Sequence, residues 1–270
     1  MLSGGQSLAA PAVEIAGFGN ENTRGHGAGY QDRWAVGAGA AGAWLAVADG
    51  IGGGPAGKEA AQVAVGLAQV VLGAGELTEG ELYRVFDSAY VALRPWWVQE
   101  RGGGTTLTVA AISRTGLVIG AVGDSPAYID FGTGFEPVTK PKTSHLLKEW
   151  LGNEDRPQPW IDLWRWEDHD IRGVIVTSDG VNPQEVRSLA ADGSAAEIVA
   201  ALRTARSLGG DDASAAVAVI ARVERDPLVD EAPPARVGRA PEPGDESGET
   251  TQDNIPKVTD DANGLMDAAG

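Results

Sequence analysis

Five aspartates in the 270-residue chain share one kind of position, at the edge of an apolar run and beside glycine or another polar residue. Asp32 precedes Arg33-Trp34-Ala35-Val36, Asp49 ends WLAVAD, Asp124 ends LVIGAVGD, Asp179 ends GVIVTSD, and Asp211 opens DDASAAVAVI. One strand-end Asp caps a turn. Several gathered at one end of a sandwich would repel each other, and taking them out of water costs several kcal/mol per ion, on the order of magnitude. A hard divalent cation removes that conflict. Magnesium and manganese take oxygen ligands, keep several waters and need only a few carboxylates. Glycines beside the acids let backbone carbonyls and water come close. Two such ions about 3.5–4 Å apart can share an Asp and a bridging water, whose hydroxide attacks phosphorus in line without a covalent intermediate. From these residues alone the chemistry is metal-assisted hydrolysis, and nothing finer.

Composition narrows the rivals. There is no cysteine, which excludes disulfides, thiolate zinc sites and every cysteine nucleophile. With only His26, His145 and His169, a multi-histidine zinc site is hard to build. A net charge of −17 repels nucleic acid and anionic membrane. No apolar run is long enough to span a bilayer. Residues 1–10 have neither the basic start nor the apolar centre of a signal peptide, so a cytoplasmic location is expected.

The acids need elements to position them. Strands are expected at 13–17, 34–37 and 43–48, the last two forming a hairpin around AGAAG. Helical spacing of apolar residues runs over 56–72. A second helix starts at Thr78, with Glu81 completing a capping box, and runs to about Trp97, its regular part ended by Pro95. A meander follows at 106–113, 117–122 and 127–131, turning first at 114–116. A short helix over 144–151 then leads into an irregular Trp-rich stretch. GVIVT at 173–177 reads as a fully buried strand, Ser194 and Glu197 cap a helix to about 207, and 214–223 is the last strand. Hairpins dominate, so two mostly antiparallel sheets flanked by helices, an α+β sandwich, would bury both kinds of element. Residues 1–11 are expected to be flexible and 12–224 to form the domain. Residues 225–270, with GDESGE and several prolines, read as an acidic disordered tail that either solubilises or docks.

These residues resemble the PPM family of metal-dependent protein serine/threonine phosphatases (protein phosphatase type two C), in a bacterial-like form. VADGIGGGPAGKEAA at 47–61 is similar to its ADGMGG…GE.A motif. QDRW at 31–34, GGTTL at 103–107, VGDSPAYI at 122–129, TSDG at 177–180 and DDAS at 211–214 follow in the family's order, over most of 13–223. The resemblance implies an αββα four-layer sandwich with two Mn²⁺ or Mg²⁺ ions at one end. Asp32, Asp49, Asp179 and Asp211 would be ligands, Asp49 bridging, and Gly50 would add its carbonyl. Asp124 would help hold a third ion. The implied function is hydrolysis of phosphoserine and phosphothreonine through a metal-bridging hydroxide, in signal transduction opposite a Ser/Thr kinase. No nucleic acid or membrane partner is implied.

Departures bear on this. The family's phosphate-binding Arg, five residues before the first Asp, is Gly27 here, leaving Arg24, His26 and Arg33 as candidates for the substrate phosphate. Gln31 stands for a frequent Glu, Ile51 for Met or His, Pro126 for Arg, and Asp212 for Asn, and the segment from Asp124 to Asp179 looks shorter than usual. The missing Arg keeps open a pseudophosphatase that binds phosphoproteins without turnover; a hydrolase of another phosphoester is a third reading. GGGPAG at 52–57 lacks the Walker lysine and the dinucleotide context, so it is no nucleotide cradle, and GGGT at 102–105 fits close backbone packing. Trp150, Trp160, Trp164 and Trp166 are expected in core or flap packing, or on a docking surface.

Overall fold

A computed structural model describes residues 11–20, 30–51, 55–98, 102–139, 149–204 and 211–221. Strands of near-continuous apolar sequence dictate the architecture. In β3 (Gly42–Ala48) every position after the first is buried, so the strand is covered on both faces. Trp44, Ala46 and Ala48 point one way, into a core shared with helices, while Leu45 and Val47 point the other way, into a core shared with a second sheet. The same period-two division runs through β6 (Leu107–Ile112) and β7 (Gly116–Val122).

Among the described residues there are two five-stranded sheets. One is ordered β10 (Trp160–Arg165), β7, β6, β3, β2 (Arg33–Gly39). The other is ordered β1 (Val13–Asn20), β12 (Ala213–Ile220), β11 (Gly173–Thr177), β8 (Ala127–Asp130), β9 (Phe135–Pro137). Their ladders are antiparallel. Helices α1 (Pro55–Ala74) and α2 (Glu79–Val98) cover the outer face of the first sheet. Helices α3 (Pro183–Arg187) and α4 (Ala195–Thr204) cover the second. The expected four layers, helix on sheet on sheet on helix, are present. A two-rung ladder of β4 (Gly50–Ile51) with β5 (Gly104–Thr105) closes one end. No described helix is long and apolar enough to cross a membrane.

The expected cap at Ser194 forms in full, and the one at Thr78 forms in part. Glu197 N–H donates to Ser194 Oγ at 3.2 Å and Ser194 N–H returns a bond to Glu197 Oε2 at 2.8 Å, which holds that carboxyl below its usual range. At α2 only half the box closes: Glu81 N–H reaches Thr78 Oγ1 at 3.3 Å, while the Glu81 carboxylate takes Arg84 at 2.6 Å.

Three expectations need correction. Pro95 sits inside α2, which continues to Val98; the carbonyl it leaves without a donor is that of Val91, an exposed residue that water reaches. The described end of the expected 144–151 helix is not helical, since Leu151 bridges to Thr105; its earlier part lies outside the described residues. The Trp-rich stretch is not irregular: β10 is an edge strand on β7, whose Trp160 and Trp164 pack at the border of the inter-sheet core while Ile161 and Leu163 turn towards α2. The short elements β9 and α3 carry too few residues to show a period. The tail at 225–270 and the N-terminal segment 1–10 lie outside the described residues.

Candidate active site

Strand register alone brings the acids to one end of the sandwich. Arg33 pairs with Ala48 on the last rung of β2 and β3, so Asp32 and Asp49 leave the ladder side by side. In the other sheet Thr177 pairs with Ala215, which puts Asp179 and the 211–212 segment at a common end. Val176 pairs with Ala127, and Thr177 N–H donates to Pro126 O at 3.0 Å, so the turn carrying Asp124 joins them. Two ties link the sheets here. Gln31 N–H donates to Asp212 Oδ2 at 2.7 Å, and the Tyr30 hydroxyl shares a short hydrogen bond with Ser214 Oγ.

Asp32 is 1% exposed, and neither carboxylate oxygen has a hydrogen-bond partner of normal geometry among the described residues. Burial pushes it up to about 6; nearby Ser178 and Ser214 hydroxyls and the Asp49 carboxyl offset part of this, and the Asp212 charge adds to it. Asp49 is raised well above the carboxylate range, first by burial, then by the charges of Asp32 and Asp179. Asp179, exposed at the rim, is raised by partial loss of hydration and then chiefly by Asp124, with Asp211 adding. The Tyr30 hydroxyl is pushed up to about 12, mainly by burial, and so stays a neutral donor or acceptor. Asp32, Asp49, Asp124, Asp179 and Asp211 thus act on one another as a like-charged group.

The residues fit hard cations. Buried carboxylate oxygens without donors are what an oxygen-seeking ion would satisfy, since a lone buried charge is otherwise costly. Among the described residues no three acidic or imidazole side chains are already closed around one point. Gly50 is forced by space: a Cβ there would lie 2.5 Å from the carbonyl carbon and oxygen of Gly57, at the start of α1, and 3.0 Å from Gln31 O. The backbone beside Asp49 is therefore pressed between α1 and the Asp32 segment. Gly103 packs over the same turn, a Cβ there lying 2.9 Å from Ala56 Cβ and 3.1 Å from Gly57 N, which gives GGGT its backbone role.

Arg33 lies beside the group but is occupied. Its Nε donates to Gln62 Oε1 at 2.9 Å, its Nη1 lies 3.2 Å from Tyr30 O and 2.5 Å from Asp32 O, and its guanidinium sits 5.4 Å from the Tyr30 ring centre. These contacts brace the segment carrying Asp32 and weigh against a role in gripping phosphate. Arg24 and His26 lie outside the described residues. Sequence reading assigned nothing to Tyr30, Thr106, Ser125, Ser178 or Ser214, although all but Tyr30 fall inside its motifs; Tyr30, Ser125, Ser178 and Ser214 lie within three positions of an aspartate, whereas Thr106 has none near it in sequence.

A sandwich of two antiparallel sheets with an acid cluster at one end is the arrangement of a metal-dependent phosphoester hydrolase. The sequence pattern of the protein phosphatase 2C family matches residues 21–219, and the chain belongs to that family. It is a metal-dependent protein serine/threonine phosphatase. Solved structures share the fold. Serine/threonine phosphatase Stp1 from Staphylococcus aureus superimposes with a TM-score of 0.65 at 20% identity, over 82% of this chain and 100% of that one. The phosphatase MsPP from Mycobacterium smegmatis, in complex with cacodylate, gives 0.63 at 20% identity, over 79% and 100%. The catalytic domain of PstP, in complex with two manganese ions, gives 0.60 at 24% identity, over 77% and 98%. No curated protein matches the chain.

Proposed function

We propose that the chain hydrolyses phosphoserine and phosphothreonine monoesters of proteins at a pair of Mn²⁺ or Mg²⁺ ions held by Asp32, Asp49, Asp179 and Asp211. Asp49 would be shared between the ions, the Gly50 carbonyl would contribute, and Asp124 would serve a third ion. Bound there, the cations would supply positive charge for the phosphoryl oxygens and an acidified water as nucleophile. The protein's part is to hold the acids convergent, and the cations would favour their ionised form. Asp32 stays dry beneath the group, Asp49 sits between Asp32 and Asp179, and Tyr30 and Arg33 brace the segment carrying Asp32. Phosphorylated proteins are the substrates, and a Ser/Thr kinase of the same cell is the opposing activity.

One observation carries this reading: a 1%-exposed carboxylate with two unpartnered oxygens, placed among four other acids at the ends of strands from both sheets. The test is manganese-dependent turnover of phosphoserine and phosphothreonine peptides, with Asp49→Asn and Asp179→Asn as variants. Loss of a ligand should lower kcat by ~100-fold or more, from a few kcal/mol of lost charge stabilisation. Variants that turn over as fast as the parent chain would refute the assignment. Metal-dependent phosphopeptide binding without turnover by the parent would refute the enzyme reading in favour of a binding module.

A further inference from the structure

The acid group explains why Asp49 is crowded but not what keeps it in place. Its carboxylate feels the charges of Asp32 and Asp179 together, so repulsion acts to swing it away before any cation arrives. Yet its main chain is fixed on both sides. Asp49 N–H donates to Thr106 Oγ1 at 2.9 Å. Asp49 O accepts from Thr106 N–H at 2.9 Å. Thr105 Oγ1 also lies 2.9 Å from Asp49 O, its single proton divided between that carbonyl and Thr106 O at 2.8 Å.

Thr106 Oγ1 has one proton and two lone pairs, and the Asp49 N–H occupies one lone pair. The remaining capacity meets Ser125 Oγ at 2.7 Å, the buried residue of the turn that also carries exposed Asp124. Ser125 is held in turn, because its carbonyl accepts from Thr108 Oγ1 at 2.7 Å. Thr106, Thr108 and Ser125 are all at most 1% exposed. Shape completes the lock. Gly123 has φ +105°, and a Cβ on it would lie 2.6 Å from Thr106 Cβ and Cγ2, so the turn closes on the Thr106 side chain only because this position is glycine.

Resting on the metal site proposed above, we infer that Thr106 and Ser125 form a buried hydroxyl clamp that positions the Asp49 carboxylate against the Asp124 turn and so sets the affinity of the cation pair. The clamp touches neither substrate nor cation; both are positioning residues. Its effect is preorganisation, because the backbone bearing the shared acid cannot yield to repulsion in the metal-free state. Partners of this kind, one bond removed from a ligand, typically change metal affinity by about 10–100-fold when removed.

The full chain, stripped with a chelator, is titrated with MnCl₂ by calorimetry, alongside kcat and KM for a phosphothreonine peptide at saturating manganese. Thr106→Val keeps the shape but takes the acceptor from Asp49 N–H, and manganese affinity should fall about 10-fold or more. Ser125→Ala breaks only the link to the turn and should give a smaller loss. The double variant should bind no worse than Thr106→Val, because the link runs through Thr106. Thr106→Ser restores the hydroxyl and should recover most of the affinity, while KM at saturating manganese stays put throughout. If Thr106→Val does not fold, Ser125→Ala and Thr106→Ser decide the matter. Unchanged manganese affinity in Ser125→Ala and Thr106→Val, with only a lower melting temperature, overturns the clamp; so does Thr106→Ser binding as weakly as Thr106→Val. A parent chain that binds no manganese overturns the metal site itself, whereas failure of the clamp alone leaves parental binding intact.

Discussion

Replacing Asp32 with Asn should make the metal-free protein more stable at neutral pH and abolish its stabilisation by manganese. In the folded chain burial raises Asp32 from 3.8 to about 6, a change of about two units, and each unit corresponds to ~1.4 kcal/mol between the protonation states. The folded value is the higher one, so this contribution to stability is full below the unfolded carboxylate range. It is lost as pH rises through about 6. At about pH 7.5 the metal-free fold therefore carries up to ~3 kcal/mol of penalty that the unfolded chain does not. Asn carries no charge and its amide has the Ser178 and Ser214 hydroxyls nearby, so most of that penalty should vanish. For a domain of this size ~1 kcal/mol moves the midpoint by about 2–4 °C, which gives a rise of roughly 5–10 °C. Thermal melts followed by circular dichroism in chelator, at about pH 4 and about pH 7.5, measure it. The gain should appear at the higher pH and shrink towards zero at the lower. With manganese added, the parent should gain stability by mass action and Asp32→Asn should gain much less. An Asn variant less stable than the parent in chelator at neutral pH would refute the reasoning, because Asp32 would then be held by contacts that favour its charge.

Gly50→Ala should destabilise the fold by ~1–3 kcal/mol, since its Cβ would have to displace main-chain atoms of Gly57 2.5 Å away, and manganese affinity should fall with it; melts and calorimetry on one preparation test both. Tyr30→Phe, which breaks the tie to Ser214, should cost ~1 kcal/mol in chemical denaturation, yet leave the shape of the pH–rate profile unchanged, because a hydroxyl raised to about 12 does not titrate in the working range. Ser194→Ala, far in sequence from the acids, should cost ~1 kcal/mol through loss of the reciprocal cap while kcat and KM stay parental, which separates stability effects from site effects.

The fold was readable where a period or a turn signal was long enough to count. The buried strands β3, β6, β7, β11 and β12 are apolar runs bounded by glycine and polar residues, and α1 and α4 follow helical spacing between identifiable starts. β10 was hidden because Trp160, Trp164 and Trp166 look like an irregular aromatic cluster. Only the ladder with β7 shows that Trp160 and Trp164 lie on one face of an edge strand and Ile161 and Leu163 on the other. Pro95 misled because proline costs a helix an N–H and crowds the preceding turn, yet the carbonyl it leaves without a donor belongs to exposed Val91 and the helix runs on to Val98. Of the site, the acids were legible as strand-end residues, but their convergence depends on register between strands more than 100 residues apart, as in the Gln31–Asp212 and Tyr30–Ser214 ties. The hydroxyls were legible only as motif letters. Nothing in a lone Thr or Ser says whether its oxygen caps a turn, holds an acid's backbone, or, as with buried Thr177, has no partner among the described residues.

That contrast bears on how the molecule tolerates its own active site. Apolar cores on both faces of each sheet stabilise the fold without reference to the acids, so the penalty of gathered carboxylates falls at one end where few apolar side chains are engaged. Short residues dominate there. Gly50, Gly103, Gly123 and Gly180 allow backbone to touch backbone or a neighbouring side chain; a Cβ on Gly180 would lie 1.9 Å from Asp212 O. Thr106, Ser125, Ser178 and Ser214 supply hydrogen bonds without bulk. Longer side chains could reach the acids themselves, and an Arg or Lys that did so would neutralise them and compete with a cation for the same oxygens. The one described arginine close to the group, Arg33, instead points its donors at Gln62 and at main-chain carbonyls. An end built from glycine, serine and threonine thus holds carboxylates in register while leaving their charge unsatisfied, which is the condition for binding divalent cations rather than merely surviving without them.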